Sequence, residues 1–138
     1  MLRHKTSLSL LITFLFTAIS QSASSQIFTV LHTFSGGGDG ATPLAGLTVD
    51  SAGNLYGTTY GGGLGYGTVF KLKRQASGWI LSSLYAFQGG SDGADPEARV
   101  IFGPSNILYG TTYNGGQSNR GTVFSLGPPL TVCVAVRR

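Results

Sequence analysis

The sequence predicts an all-β protein made of tandem four-stranded antiparallel units, present in two copies. Three observations carry that prediction. Glycine occurs 22 times while charged residues make up only 10 % of the chain. Apolar residues alternate with polar ones at a period of two. Long words recur in the second half of the chain in the same order as in the first. The glycine content argues against a helix bundle, because an interior glycine costs a helix roughly 1 kcal/mol relative to alanine. The low charge and ample apolar content argue against a disordered chain.

The duplication is read by placing Leu31–Leu72 over Leu84–Leu126. Leu31 and Phe34 fall on Leu84 and Phe87, Gly36-Gly37 on Gly89-Gly90, and Asp39-Gly40-Ala41 on Asp92-Gly93-Ala94. Leu55-Tyr56-Gly57-Thr58-Thr59-Tyr60 recurs unchanged as Leu108 to Tyr113, and Gly67-Thr68-Val69-Phe70 recurs as Gly121 to Phe124. The second copy holds one extra residue between these words, in a glycine-rich loop that tolerates it.

Each repeat reads as four strands. In the first, Leu44–Asp50 places Ala45, Leu47 and Val49 on one face. Ser51-Ala52-Gly53 turns the chain into Asn54–Tyr60, which alternates Tyr56, Thr58 and Tyr60 with Leu55, Gly57 and Thr59. After a loop at 61–67, Thr68–Lys73 sets Phe70 and Leu72 opposite Lys71 and Lys73. Gln75–Gly78 then turns into Trp79–Phe87. Such alternation matches side chains that point to opposite faces of a strand. The last strand of the second repeat is expected at Leu130–Val136, and Ile27–Phe34 corresponds to the fourth strand of a preceding unit. Four-stranded units in tandem describe a β-propeller-like array. Two of them fall short of the four to eight blades of typical closed propellers.

The expected organisation is a signal peptide at 1–26 and a β-repeat domain at 27–138. Within that domain, 27–35 is the leftover strand, 36–88 the first repeat and 89–138 the second, with an atypical C-terminus. Arg3, His4 and Lys5 form a positive start, Leu8–Ile19 an apolar stretch, and Ser22-Ala23-Ser24-Ser25 a small-residue cleavage region. The apolar stretch is short for a membrane span of about 20 residues. An uncleaved anchor is the rival reading, and it is the one way this chain would contact a membrane. The expected location is therefore outside the cytoplasm: extracellular, at the cell surface or in the periplasm.

Of the net charge of +4, Arg3 and Lys5 belong to the leader, so the remainder is close to balanced. No Lys/Arg stripe survives to bind nucleic acid. Cys133 is the single cysteine and makes no internal disulfide.

At the repeated words the sequence resembles the GloVer tandem-repeat family of exported bacterial proteins. The resemblance stands on Val30–Phe34, Gly37–Pro43, Ala45–Tyr60 and Gly61–Leu72, and it reaches about Pro129. It implies architecture and export rather than a reaction. The second copy departs from the pattern where Gly103-Pro104-Ser105-Asn106-Ile107 replaces Asp50-Ser51-Ala52-Gly53-Asn54. Two repeats are expected to be a piece of a longer protein, a unit completed by self-association through open blade edges, or a small open β structure.

Candidate chemistry is sparse. Gly89-Gly90-Ser91-Asp92-Gly93 has the letters of a nucleophile elbow, but turn residues follow it where that motif needs a helix. Gly63-Leu64-Gly65-Tyr66-Gly67 likewise lacks the helix of a dinucleotide site. Asp39, Asp92 and Asp95 are weak calcium candidates: each sits in a flexible loop, and calcium wants six to eight oxygens. Turn formation is the competing role for these carboxylates. His32 aligns with Tyr85, a position that takes a ring, and no second histidine stands in the repeat domain to share a metal. Tyr56, Tyr60, Tyr109, Tyr113 and Trp79 are the candidate binding residues, by stacking on sugar rings, with packing between repeats as their structural alternative. The expected function is a non-enzymatic binding or surface-interaction module for a glycan or another surface protein, with no cofactor. A propeller-type polysaccharide lyase or hydrolase is the enzymatic alternative, with Asp50 and Arg99 the nearest acid–base candidates. A fragment without independent function is the third reading.

Overall fold

The computed structural model describes residues 25–127. The signal segment up to residue 24, Cys133 and the strand expected at Leu130–Val136 lie outside the described residues. Within them the protein is all-β, in two antiparallel sheets. Strands β1 (Thr48–Val49), β2 (Leu55–Thr59), β3 (Thr68–Gln75) and β4 (Gly78–Ala86) form the first sheet in that order. Strands β5 (Ile101–Phe102), β6 (Leu108–Thr112) and β7 (Thr122–Leu126) form the second.

The tight turns follow from local chemistry. Asp50 closes the β1–β2 turn, where the Gly53 amide donates to the Asp50 carbonyl at 3.0 Å. Gln75 and Gly78 face each other across the two-residue β3–β4 hairpin. In the second repeat the β5–β6 connection is instead a 3-10 turn at Pro104–Asn106. There Ser105 and Asn106 both carry a φ of 58°, and the Gly103 amide closes on the Ile107 carbonyl at 2.8 Å. Serine and asparagine thus take up the left-handed backbone that the substitution of Asp50–Asn54 requires.

Two expected strands differ. Leu44–Asp50 contracts to the two residues of β1. Thr42, at φ 55°, turns the chain away, and Pro43 offers no amide to a ladder. The pairing moves upstream, to a bridge between Ala41 and Gly61. Ile27–Phe34 joins no ladder among the described residues. It is held by rings instead: Phe34 packs edge-on to Phe70 at 5.2 Å.

The core lies between the two sheets. Tyr56, Val69, Phe87, Val100 and Leu108 are buried there, with Tyr85, Phe102, Phe124 and Leu126 packed around them. Tyr56 meets Phe102 edge-on at 5.0 Å, and Phe87 meets Phe124 at 5.2 Å. Polar links cross the same junction. The Thr58 hydroxyl donates to the Ala98 carbonyl at 3.2 Å, the Thr48 hydroxyl donates to the Val100 carbonyl, and the Asp95 amide donates to the Tyr66 carbonyl at 3.0 Å. One face of the first repeat is therefore the surface on which the second repeat sits.

Each repeat rebuilds the same internal network. The Thr59 and Thr68 hydroxyls lie 2.8 Å apart, and those of Thr112 and Thr122 lie 2.9 Å apart. Gly40 and Gly93 press against these pairs with φ near 101° and 109°. A Cβ at either position would collide with the threonine hydroxyls. The recurring DGA and LYGTT words thus need each other: glycine at the turn makes room for the threonine pair on β2 and β3, or on β6 and β7.

Candidate functional site

An open cleft of about 520 Å³ lies where the two sheets meet. Its wall from the first repeat carries Asp50, Tyr56, Lys71 and Leu84, and its wall from the second carries Phe102, Asn106, Leu108 and Leu126. Antiparallel pairing sets Tyr56 opposite Lys71 across β2 and β3. The Lys71 ammonium lies 5.2 Å from the Tyr56 ring centre, a cation–π distance. Asn106 reaches the cleft because the 3-10 turn projects it from the β5–β6 connection.

The Asp50 carboxylate at the rim is already occupied. It accepts from the Ala52 and Asn54 amides at 2.9 Å each, from Asn54 Nδ2 at 2.7 Å and from the Tyr56 hydroxyl at 3.0 Å. Burial pushes its pKa up, but the side-chain and backbone donors of Asn54 and the Tyr56 hydroxyl outweigh it and hold the group at about 2. Such an acid is ionised at neutral pH, and its lone pairs are spent on the turn. Arg99 is exposed, and no Lys or Arg among the described residues lies within ion-pair distance of Asp50.

A second hollow, of about 290 Å³, lies beside Tyr85, Phe87, Asp92 and Phe124. Its carboxylate is also engaged. Asp92 Oδ2 accepts from the Tyr85 hydroxyl and from the Gln88 amide, both at 2.9 Å. Burial raises the Asp92 pKa, but these donors bring it below the usual carboxylate value, while the hydrogen bond to Asp92 raises that of Tyr85. Where the first repeat begins, His32 Nε2 on the preceding segment lies 3.2 Å from Asp39 Oδ2, which also accepts from the Ser35 amide at 2.9 Å. The alignment of His32 with Tyr85 therefore corresponds to one structural position, a ring that binds the turn carboxylate.

Of the calcium candidates, Asp39 lies in the loop of one repeat, and Asp92 and Asp95 lie three residues apart in the corresponding loop of the other. Asp39 and Asp92 are held as above, and Asp95 Oδ2 accepts from Asn114 Nδ2 at 2.8 Å. Among the described residues no group of three or more His, Cys, Asp or Glu side chains is placed to hold a metal ion.

Of the five aromatic candidates, only Tyr56 lines the larger cleft, and it is buried. Tyr109, its counterpart on β6, is half-buried on the outer face of the second sheet, and Tyr113 is exposed. Tyr60 is half-buried just beyond β2. Trp79 pairs with Arg74 at the β3–β4 hairpin. The structure thus distributes these side chains instead of gathering them into one stacking platform. Lys71, Phe102 and Asn106 were not legible as cleft residues from the sequence. The one available signal was the broken match at Asn106, where the second repeat abandons the turn of the first.

The duplicated antiparallel sheets, each with its threonine pair and ring–carboxylate contact, define a tandem β-repeat protein. The chain belongs to the Gloeobacter/Verrucomicrobia repeat family, whose model matches residues 16–137. No curated protein and no solved structure matches the chain.

Proposed function

We propose that this protein is an exported, non-enzymatic binding module, and that the cleft between its repeats seats a polar ligand of the oligosaccharide class. The observation that carries this reading is the cleft itself. It combines an apolar floor of Phe102, Leu108 and Leu126 with a small number of convergent polar groups, Lys71 and Asn106 among them. That composition is typical of ligand sites, where apolar surface supplies burial and a few polar groups set orientation. Asp50 shapes the rim and leaves Lys71 and Asn106 to meet hydroxyl groups. Export is supported by the positive, apolar and small-residue order of the first 26 residues.

The test is binding and turnover measured on the same samples. The protein is incubated with insoluble polysaccharides and soluble oligosaccharides, with depletion and calorimetry for binding and reducing-end release for chemistry. Binding without new reducing ends, weakened about tenfold by Asn106→Ala, is the expected result; a lost hydrogen bond of that size is worth roughly 1.4 kcal/mol. New reducing ends or unsaturated products would overturn it in favour of a hydrolase or lyase. Absence of depletion across the panel would remove the oligosaccharide assignment.

A further inference from the structure

The two repeats present equivalent faces with opposite fates. Val69 on β3 is 0 % exposed, because the second repeat covers it, whereas its counterpart Val123 on β7 is 81 % exposed. The same contrast runs across the sheet. Tyr56 and Thr58, covered by Phe102 and the Ala98 carbonyl, correspond to Tyr109 and Thr111, which face outward. Ile101, the counterpart of Thr48, is also exposed. The opposite side of the molecule shows the complement. Val100, which the first repeat buries completely, corresponds to Leu47, which is 45 % exposed, and Phe102 corresponds to Val49, which is exposed too. The buried Pro96 corresponds to the exposed Pro43.

We propose that a second copy of this chain docks its first repeat onto the outer face of the second repeat, head to tail, remaking the junction already present between repeats. The occupant follows from the template. On the buried face, Val69 meets the 94–102 segment that carries Val100 and Phe102. On the open face, Val123, Tyr109 and Thr111 would meet the 41–49 segment of the second copy, with Leu47 in the place of Val100 and Val49 in the place of Phe102. Thr111 would donate to the Ala45 carbonyl of that copy, as Thr58 donates to the Ala98 carbonyl here. The contact joins two different patches, so it is heterologous and either closes into a ring or continues as a filament. Blades number four to eight in closed propellers, so a ring would hold roughly two to four chains of two repeats each. This inference is independent of the ligand reading, because the cleft lies within one chain.

The experiment is light scattering and sedimentation on the full chain, expressed with its N-terminal segment so that processing runs its course. The wild type is expected to show a concentration-dependent mass at whole multiples of the protomer. Val123→Glu and Leu47→Glu each charge one of the two patches at an exposed position, and each is expected to be monomeric with unchanged circular dichroism. Mixing the two variants is the decisive step. Each keeps one intact patch, and the intact patches are complementary. The mixture is expected to form a one-to-one dimer that grows no further. A wild type that stays monomeric up to about 100 μM, well above the micromolar range of specific contacts, would overturn the proposal. So would an oligomer that survives both substitutions, or a mixture of variants that fails to pair.

Discussion

The Tyr85 hydroxyl donates to Asp92 Oδ2 at 2.9 Å, tying the end of β4 to the turn that opens the second repeat. The ring belongs to the last strand of one unit and the carboxylate to the first turn of the next. His32 and Asp39 make the same contact one repeat earlier, at 3.2 Å. Through this pair each unit is anchored to the strand that precedes it. Tyr85→Phe should therefore destabilise the protein by about 1.5 kcal/mol, the lower end of what a hydrogen bond to a charged acceptor contributes, because the contact is only partly buried. Urea unfolding of dilute protein measures it; an unchanged midpoint would show that the contact is incidental.

Gly93→Ala should be far more damaging. Its Cβ would enter the space of the Thr112 and Thr122 hydroxyls, and its φ of 109° is one that alanine rarely adopts. Strain and collision together predict a loss of about 3 kcal/mol or more. Gly90→Ala is the control, since nothing lies within 4 Å of a Cβ there. Similar thermal midpoints for the two variants would contradict the argument.

Matched valines give a cleaner comparison. Val69→Ala removes two methyl groups from the closed junction and should cost about 2 kcal/mol, including the cavity it leaves. Val123→Ala, measured on dilute monomer, should stay within about 0.5 kcal/mol, as surface changes do. The two substitutions are chemically identical, so the difference between them reads the burial alone.

Acid should loosen the turns. The Ser35 hydroxyl and amide bring Asp39 from 3.8 to about 2, and the donors around Asp50 outweigh its burial to hold it at about 2 as well. Both folded-state values lie below the unfolded value. Each carboxylate thus adds stability that is complete above about pH 4 and is lost as pH falls towards 2. Chemical denaturation at pH 5.5, 3.5 and 2.5 should show a flat upper region and then a fall. Asp50→Asn should be less stable at pH 5.5 and show a shallower fall; an equal fall in both proteins would dissociate Asp50 from the acid response.

Much of this architecture was legible in the sequence because the repeat repeats its physics as well as its letters. The words DGA and LYGTT recur together since a glycine Cβ would strike the threonines of the same unit. His32 could be matched to Tyr85 because both supply a ring to one carboxylate. The candidate site was less legible. Tyr56 was visible as a repeated aromatic, but its neighbours Lys71, Phe102 and Asn106 come from different strands and a turn, and only pairing brings them to one cleft. Leu44–Asp50 read as a full strand by alternation, yet Thr42 and Pro43 divert the backbone and leave two paired residues.

By itself the sequence determined the strand-and-turn composition, the duplicated unit and the carboxylates that shape its turns, because these rest on local backbone preference and on spacing between near neighbours. The tertiary structure alone decided which face of each sheet is covered. Val69 and Val123 sit in the same word, Gly-Thr-Val-Phe, and no local rule separates them. Among the described residues one has a second repeat against it and the other has not, and burial depends on what packs against a surface, not on the residues that compose it.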